Sequence, residues 1–223
     1  MGPKQKTKTP TKQTADDSYD ESFSPVKFKD SPMQNRQGNL TGSARKLKDG
    51  AADLHNLTQK WQVLNVDGAN IVNEIANIKL EKILSQNENS EEVIDMLPES
   101  LLPLCEKMEN LLKKMEKIRD RLCGLAEMSR GVAQLEHYNN PEDAEFIIFQ
   151  TWNIDRFVTV FKEISEMYEK ELRLKQCISE NICHGKDREI IMFYTAAWVH
   201  EPYIESNMKL LLESMLFETR HKT

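Results

Sequence analysis

The sequence has few residues that interrupt helices. Only 8 of its 223 residues are glycine and 8 are proline. Four of the prolines fall in the first 32 positions, so the rest of the chain is nearly free of helix breakers. Aromatic residues make up 7% of the chain, whereas charged residues make up 30%. This composition argues against a thick globular core and favours a protein built from long helices.

Long apolar runs are missing as well. The longest is about five residues, from Ile190 to Tyr194, whereas a membrane-spanning helix requires roughly 20. The first 30 residues lack the apolar segment of a signal peptide. We therefore predict no membrane segment.

Cysteine is scarce, and the sequence suggests no pairing. The four cysteines are Cys105, Cys123, Cys177 and Cys183, and none belongs to a CxxC motif. Such spacing is typical of reduced, partly buried thiols in a cytosolic or nuclear protein. A metal or redox role is the minor alternative.

Motifs that carry chemistry are absent from the sequence. It contains no glycine-rich phosphate loop, no zinc spacing among its five histidines and no GxSxG motif. The net charge of −6 argues against nucleic acid as the main partner. We predict a protein without catalytic activity, metal site or cofactor.

The first 42 residues have the composition of a disordered tail, rich in Lys, Ser, Thr, Asp and Pro. Three Ser/Thr-Pro dipeptides make Thr9, Ser24 and Ser31 candidate phosphorylation sites. A lysine follows Thr9 and Ser24 at the third position, a pattern that favours cyclin-dependent kinases over chance in such a tail. Proline supports the extended backbone that a proline-directed kinase binds. The lysines near the N terminus indicate either a nuclear-import signal or a solvated tail.

A second pattern related to kinases is Arg45-Lys46-Leu47. An Arg-x-Leu motif can dock in a cyclin groove when its backbone is extended, which makes Arg45 and Leu47 candidate cyclin-docking residues. The same residues stand at the start of a predicted helix, with Leu47 in its apolar stripe. The structural interpretation is the favoured one.

Two long helices are predicted at about 43–86 and 99–137, separated by a polar loop at 87–98. Apolar residues in both recur at alternating steps of three and four, as in a coiled coil. The candidate seam residues are Leu54, Leu57, Trp61, Leu64, Leu104, Met108, Leu111, Met115, Ile118 and Leu122. An antiparallel hairpin is the simplest arrangement, although the seam can pair within the chain, in a homodimer or with a foreign helix. Gly68 interrupts the first stripe, which indicates either a close approach of another helix or a bend.

Residues 138–152 are predicted as a linker with an unusual apolar cluster. Phe146, Phe149 and Trp152 either pack back on the helices or anchor a partner, because aromatic residues dominate binding hot spots. The favoured interpretation is that they pack on the helices.

Three further helices are predicted, at about 153–184, after Asp187 and from Pro202 onward. The fold class is therefore all-α, a long helical hairpin with three C-terminal helices and a disordered N-terminal tail. The predicted domains are a tail at 1–42, a helical hairpin at 43–140 and a C-terminal helical region at 141–223 that packs on the hairpin.

Several segments resemble the cyclin-dependent kinase 2-interacting protein family. They are 43–49, 51–57, 60–61, 75–79, 149–152, 166–168, 170–172, 198–203 and 212–216. The resemblance covers about residues 43–223, whereas the tail and the loop at 87–98 look variable. Motifs spread along the chain in this way are more specific than the apolar stripes alone.

The resemblance implies a nuclear, chromatin-associated adaptor, possible also in the cytoplasm, without activity of its own. Members of the family bind cyclin-dependent kinase 2 with its cyclin, the Cdc7 kinase, origin recognition proteins and the ATR-interacting protein. It further implies a subunit of an AAA+ ATPase complex, beside a second coiled-coil subunit. That complex acts in replisome proteostasis and maturation of the large ribosomal subunit. The alternative is a regulated kinase substrate and scaffold at replication origins without a stable ATPase role.

Overall fold

Five α-helices make up most of the described chain. The computed structural model describes residues 42–88, 98–139, 141 and 147–221. The helices are α1 Ser43–Glu88, α2 Leu102–Asn139, α3 Ile154–Asn181, α4 Arg188–His200 and α5 Met208–Glu218. Within the described ranges, β structure is limited to one isolated bridge between Ile147 and Asn153. The predicted all-α fold class is confirmed.

The three long helices alternate in direction. The Ser43 hydroxyl, at the start of α1, donates a hydrogen bond to Glu136 near the end of α2. His137, also near the end of α2, contacts Asp155 at the start of α3, with Nε2 and Oδ1 3.0 Å apart. Helix α2 packs against α3 at least as extensively as against α1. The coiled coil and the two-helix hairpin therefore stay predictions, because α3 shares the described core with α1 and α2.

The apolar core lies where α1, α2 and α3 meet. The predicted seam residues all contribute to it, and only Leu64 among them is partly exposed. From α3 the core receives the fully buried rings of Phe157, Phe161 and Tyr168. Burial of a side chain of this size contributes roughly 1.5–3 kcal/mol. These side chains stabilise the protein's own fold, and their use as a seam with a partner stays a prediction.

The two short helices pack against the long helices. Helix α4 packs on α1, and α5 contacts α1 and α3. The prediction that the last helix starts at Pro202 is wrong, because α5 begins only at Met208. Glu201 has a left-handed backbone, with φ 45°, which ends α4. Two turns lie between α4 and α5. In the first, Ile204 N–H donates to Glu201 O, and in the second, Met208 N–H donates to Glu205 O.

Gly68 marks the point where α4 approaches α1 most closely. The indole of Trp198 lies directly over it, so a β-carbon at position 68 would overlap the ring, with Nε1 only 3.0 Å away. Of the two sequence-based interpretations, the close approach of another helix is confirmed. Helix α1 continues without interruption through this residue.

We expect Gly68→Ala to destabilise the protein by about 1–3 kcal/mol, the usual cost of overpacking a close contact. Gly124→Ala is the matched control, because Gly124 lies within α2 and an added β-carbon meets no atom within 4 Å. Helix propensity predicts that the control gains up to ~1 kcal/mol. Urea unfolding of both variants measures the difference, and equal effects would contradict the contact with Trp198.

Candidate functional site

A charged cluster lies inside the helical core. Glu171 and Lys175 of α3 are both fully buried, and the carboxylate Oε1 lies 3.2 Å from Nζ. A second carboxylate, that of Glu201 at the end of α4, lies 3.5 Å from the same Nζ. Buried charges persist in proteins only where they are paired and hydrogen-bonded. Burial of Lys175 therefore requires partners for its charge inside the core.

The Lys175 ammonium joins three helices. It donates hydrogen bonds to Asn65 Oδ1 of α1 at 2.7 Å and to the Trp198 carbonyl of α4 at 3.0 Å. It also lies 4.5 Å from the centroid of the Trp198 ring, a cation–π distance. We call Asn65, Glu171, Lys175, Trp198 and Glu201 the lysine cluster. Through it, the end of α4 is fixed to both α1 and α3.

The carboxylates of the lysine cluster have further donors. Trp61 Nε1 donates to Glu201 Oε1 at 2.7 Å, and the Tyr203 N–H donates to Glu171 Oε2 at 3.1 Å. Trp198 Nε1 donates to the Asn65 carbonyl at 3.1 Å. A left-handed backbone at a residue other than glycine costs roughly 1–2 kcal/mol, and these contacts hold Glu201 in that conformation.

Burial opposes charge on both members of the ion pair. Desolvation raises the pKa of Glu171 and lowers the pKa of Lys175, while the attraction between the two groups opposes both shifts. Burial, together with the charge of Glu201, also raises the pKa of Tyr168 above its usual range. Tyr168 packs edge-on against Trp61, with ring centroids 5.0 Å apart. Removing one charge would leave the others without compensation.

Helix α4 leaves most of its apolar side chains outside the core. Nine of its 13 residues are apolar or aromatic, yet only Ile191 and Trp198 are buried. Met192, Phe193 and Val199 are 52%, 64% and 46% exposed, and Ala196 is exposed as well. Spacings of three and four place these four residues, which we call the α4 face, on one side of the helix. An exposed apolar patch of this kind is typical of an interaction surface.

The predicted cyclin-docking residues lie in a helix. Arg45 and Leu47 lie near the start of α1, where Leu47 is completely buried. The Arg45 side chain is exposed and forms an ion pair with Asp49, with Nε and Oδ2 3.5 Å apart. Docking through an extended Arg-x-Leu segment would require this part of α1 to unfold. The docking role stays a prediction.

The predicted partner anchors Phe149 and Trp152 lie half-buried against Phe157, with ring centroids 5.4 and 5.1 Å from that ring. The Glu218 carboxylate of α5 holds their loop by accepting the N–H of Gln150 at 3.0 Å and of Thr151 at 3.1 Å. Their role as partner anchors stays a prediction. The third predicted anchor, Phe146, and the candidate phosphorylation sites Thr9, Ser24 and Ser31 lie outside the described residues.

The sequence analysis missed the lysine cluster, although a signal for it exists. The apolar residues of α3 recur at steps of four and three. They are Phe157, Phe161, Ile164, Tyr168 and Ile178, and Ile182 in the 3₁₀ turn after α3 continues the stripe. Glu171 and Lys175 fill the two positions at which this stripe is interrupted. Charged residues at core positions predict a buried ion pair, whereas their partners Asn65 and Glu201 come from distant parts of the chain.

Among residues 42–88, 98–139 and 147–221, no group of three or more His, Cys, Asp or Glu side chains is arranged to hold a metal ion. No helix in the described part of the chain combines the length and the apolar character needed to cross a bilayer.

The fold and the site define an all-α protein in which a buried ion pair holds a helix with an exposed apolar face. No family model matches the sequence. The chain is 38% identical over 195 residues to the cyclin-dependent kinase 2-interacting proteins of Bos taurus and Homo sapiens. It is 35% identical over 190 residues to that of Xenopus laevis. Each alignment covers 82% of this chain and 92% of the relative. The chain belongs to the cyclin-dependent kinase 2-interacting protein family.

We expect Lys175→Ala to destabilise the protein by about 3–5 kcal/mol, because it leaves two carboxylates without their cation in the core. Arg173→Ala is the matched control. Its partner Glu169 is spaced as Glu171 is from Lys175, but the Arg173 side chain is 72% exposed. An exposed pair contributes about 0–1 kcal/mol. Urea unfolding followed by circular dichroism compares the two, and similar losses would contradict the buried ion pair.

Proposed function

We propose that this protein is a non-catalytic adaptor that binds protein partners through the α4 face. The observation that carries the proposal is the exposure of Met192, Phe193 and Val199 on one side of α4 within the described part of the chain. The names of the relatives state that those proteins interact with cyclin-dependent kinase 2. We infer that this kinase, with its cyclin, is one partner of the present chain.

The energetics of the α4 face suit such binding. Phe193 is its largest side chain and is 64% exposed, and burying a phenylalanine side chain contributes roughly 1.5–3 kcal/mol. The lysine cluster fixes α4 at Trp198 and Glu201, so the face is presented in one orientation before a partner arrives. Preorganisation of this kind lowers the entropic cost of association.

The family resemblance supports a wider set of partners. We infer a nuclear, chromatin-associated protein that links the Cdc7 kinase, the ATR-interacting protein and origin recognition proteins to DNA replication and checkpoint signalling. We also infer that it is a subunit of an AAA+ ATPase complex, beside a second coiled-coil subunit, in replisome proteostasis and maturation of the large ribosomal subunit. A surface on α4 leaves the residues of the three-helix core free to stabilise the adaptor itself.

The full chain, purified with an affinity tag and incubated with nuclear extract in roughly 0.5 M salt, tests the proposal, because exposed charges are then screened while apolar contacts persist. We expect Phe193→Asp to reduce recovery of cyclin-dependent kinase 2 by about tenfold or more, as for a binding hot spot. Leu210→Asp is the matched control, because Leu210 is 66% exposed but lies on α5. Circular dichroism is expected to show that both variants remain folded.

The same recoveries separate the possible outcomes. Equal kinase recovery with Phe193→Asp and the unchanged chain would contradict the α4 face as the binding surface. Near-equal amounts of AAA+ ATPase subunits and of this chain would support the wider role. Recovery of the kinase and cyclin alone would favour the alternative, a kinase substrate and scaffold without a stable ATPase role.

The second candidate function is regulation by phosphorylation of the tail. Thr9 and Ser24 are each followed by proline and, at the third position, by lysine, whereas Ser31 is followed by Pro-Met-Gln. Each phosphate would add about −1.5 to −2 charges to a segment that is rich in lysine. The tail would then change its affinity for charged partners without a change in the helical core.

We expect purified cyclin-dependent kinase 2 with cyclin to phosphorylate Thr9 and Ser24 faster than Ser31, which serves as the internal control. Phosphopeptide mass spectrometry over a time course measures the three rates in one reaction. The double variant Thr9→Ala/Ser24→Ala is expected to lose most of the incorporated phosphate. Incorporation that is undiminished in this variant would rule out the two sites as the main targets.

A further inference from the structure

Two of the four cysteines meet in the folded protein. Cys105 lies near the start of α2 and Cys183 in the 3₁₀ turn Ile182–His184 after α3, and their Sγ atoms are 3.5 Å apart. The other two, Cys123 and Cys177, are exposed. The fold thus joins one thiol pair across 78 positions of the sequence.

The geometry of the pair is close to that of a disulfide. A disulfide bond is about 2.05 Å long, so the two sulfur atoms have to approach by roughly 1.5 Å. Small side-chain rotations at the two cysteines can supply a displacement of this size, because each sulfur is one bond from a rotatable Cβ. The 3.5 Å contact is the reduced form of the pair.

The two thiols differ in their access to solvent. Cys105 is half-buried, whereas Cys183 is buried. Burial, followed by the hydrogen bond with Cys105, raises the pKa of Cys183 to about 12. Lys79 of α1, itself buried, acts in the opposite direction and favours the Cys183 thiolate. An oxidant therefore meets Cys105 first, and Cys183 is placed to react second.

We propose that Cys105 and Cys183 form an oxidative modification site, which a small disulfide such as oxidised glutathione converts into an intrachain disulfide. The Cys105 thiolate attacks one glutathione sulfur, forms a mixed disulfide and releases one reduced glutathione. Cys183 then loses its proton and attacks Cys105 Sγ, which breaks the bond to glutathione and releases the second reduced glutathione. Two protein thiols are oxidised, and one glutathione disulfide is reduced to two thiols.

The bond would join the start of α2 to the turn that precedes α4. This turn also contacts α1. The disulfide would therefore fix the start of α2 to a turn that already contacts α1 and α3. Closing a long loop constrains the unfolded chain more than the folded one. We expect the thermal midpoint to rise by about 5 °C or more on oxidation.

The test uses the full chain at pH 8 with oxidised glutathione, followed by digestion without reductant and mass spectrometry. The expected product is a peptide pair linked through Cys105 and Cys183, while Cys123 and Cys177 carry glutathione. In Cys183→Ser, Cys105 is expected to stop at the mixed disulfide. Cys123→Ser is the matched control and is expected to retain the intrachain bond.

Two results would overturn the proposal. One is a final state of the unchanged protein in which Cys105 carries glutathione, because the second attack then does not occur. The other is an unmodified Cys105 when Cys123 is fully modified. Since Cys183 is buried, Cys105→Ser provides a second variant if Cys183→Ser does not fold. Cys183 is then expected to remain a free thiol, and the midpoint is expected not to change on oxidation.

Discussion

Burying the ammonium of Lys175 requires acceptors that no single helix can supply. Asn65 comes from α1, Glu171 from the preceding turn of α3, and the Trp198 carbonyl and the Glu201 carboxylate from the end of α4. Replacing such an ion pair with apolar residues is often neutral in energy, whereas removing one member is costly. The cluster therefore fixes the end of α4 to α1 and α3 in one position.

That position determines which side of α4 faces outward. Trp198 covers Gly68 and donates to the Asn65 carbonyl, so the apolar side chains on the opposite side of the helix remain exposed. Segments that carry the resemblance to the cyclin-dependent kinase 2-interacting protein family include Trp61, Glu171, Trp198 and Glu201. These residues meet in or next to the lysine cluster, although they are spread over most of the helical part of the chain.

Sequence reasoning succeeded where a property is local and failed where it depends on a distant partner. Apolar spacing predicted the long helices and placed residues such as Met108 and Met115 in a core. The C-terminal region was expected to pack on the hairpin, but the spacing did not predict which of its helices would share this core, because an apolar stripe does not encode which helix it faces. The predicted start of the last helix was wrong for two reasons. The Glu171 carboxylate accepts the Tyr203 N–H, and Glu201 adopts a left-handed backbone. Both depend on tertiary contacts.

The sequence by itself determined the helical class, the lengths of the long helices, the scarcity of motifs that carry chemistry and the family. These follow from residue spacing and from motifs that are contiguous in the chain. Only the tertiary structure decided that the Trp198 indole packs over Gly68, that Cys105 contacts Cys183 and that the α4 face is exposed. The physical reason is that each of these features joins residues far apart in sequence, and the packing of the helices brings them within a few ångströms of one another.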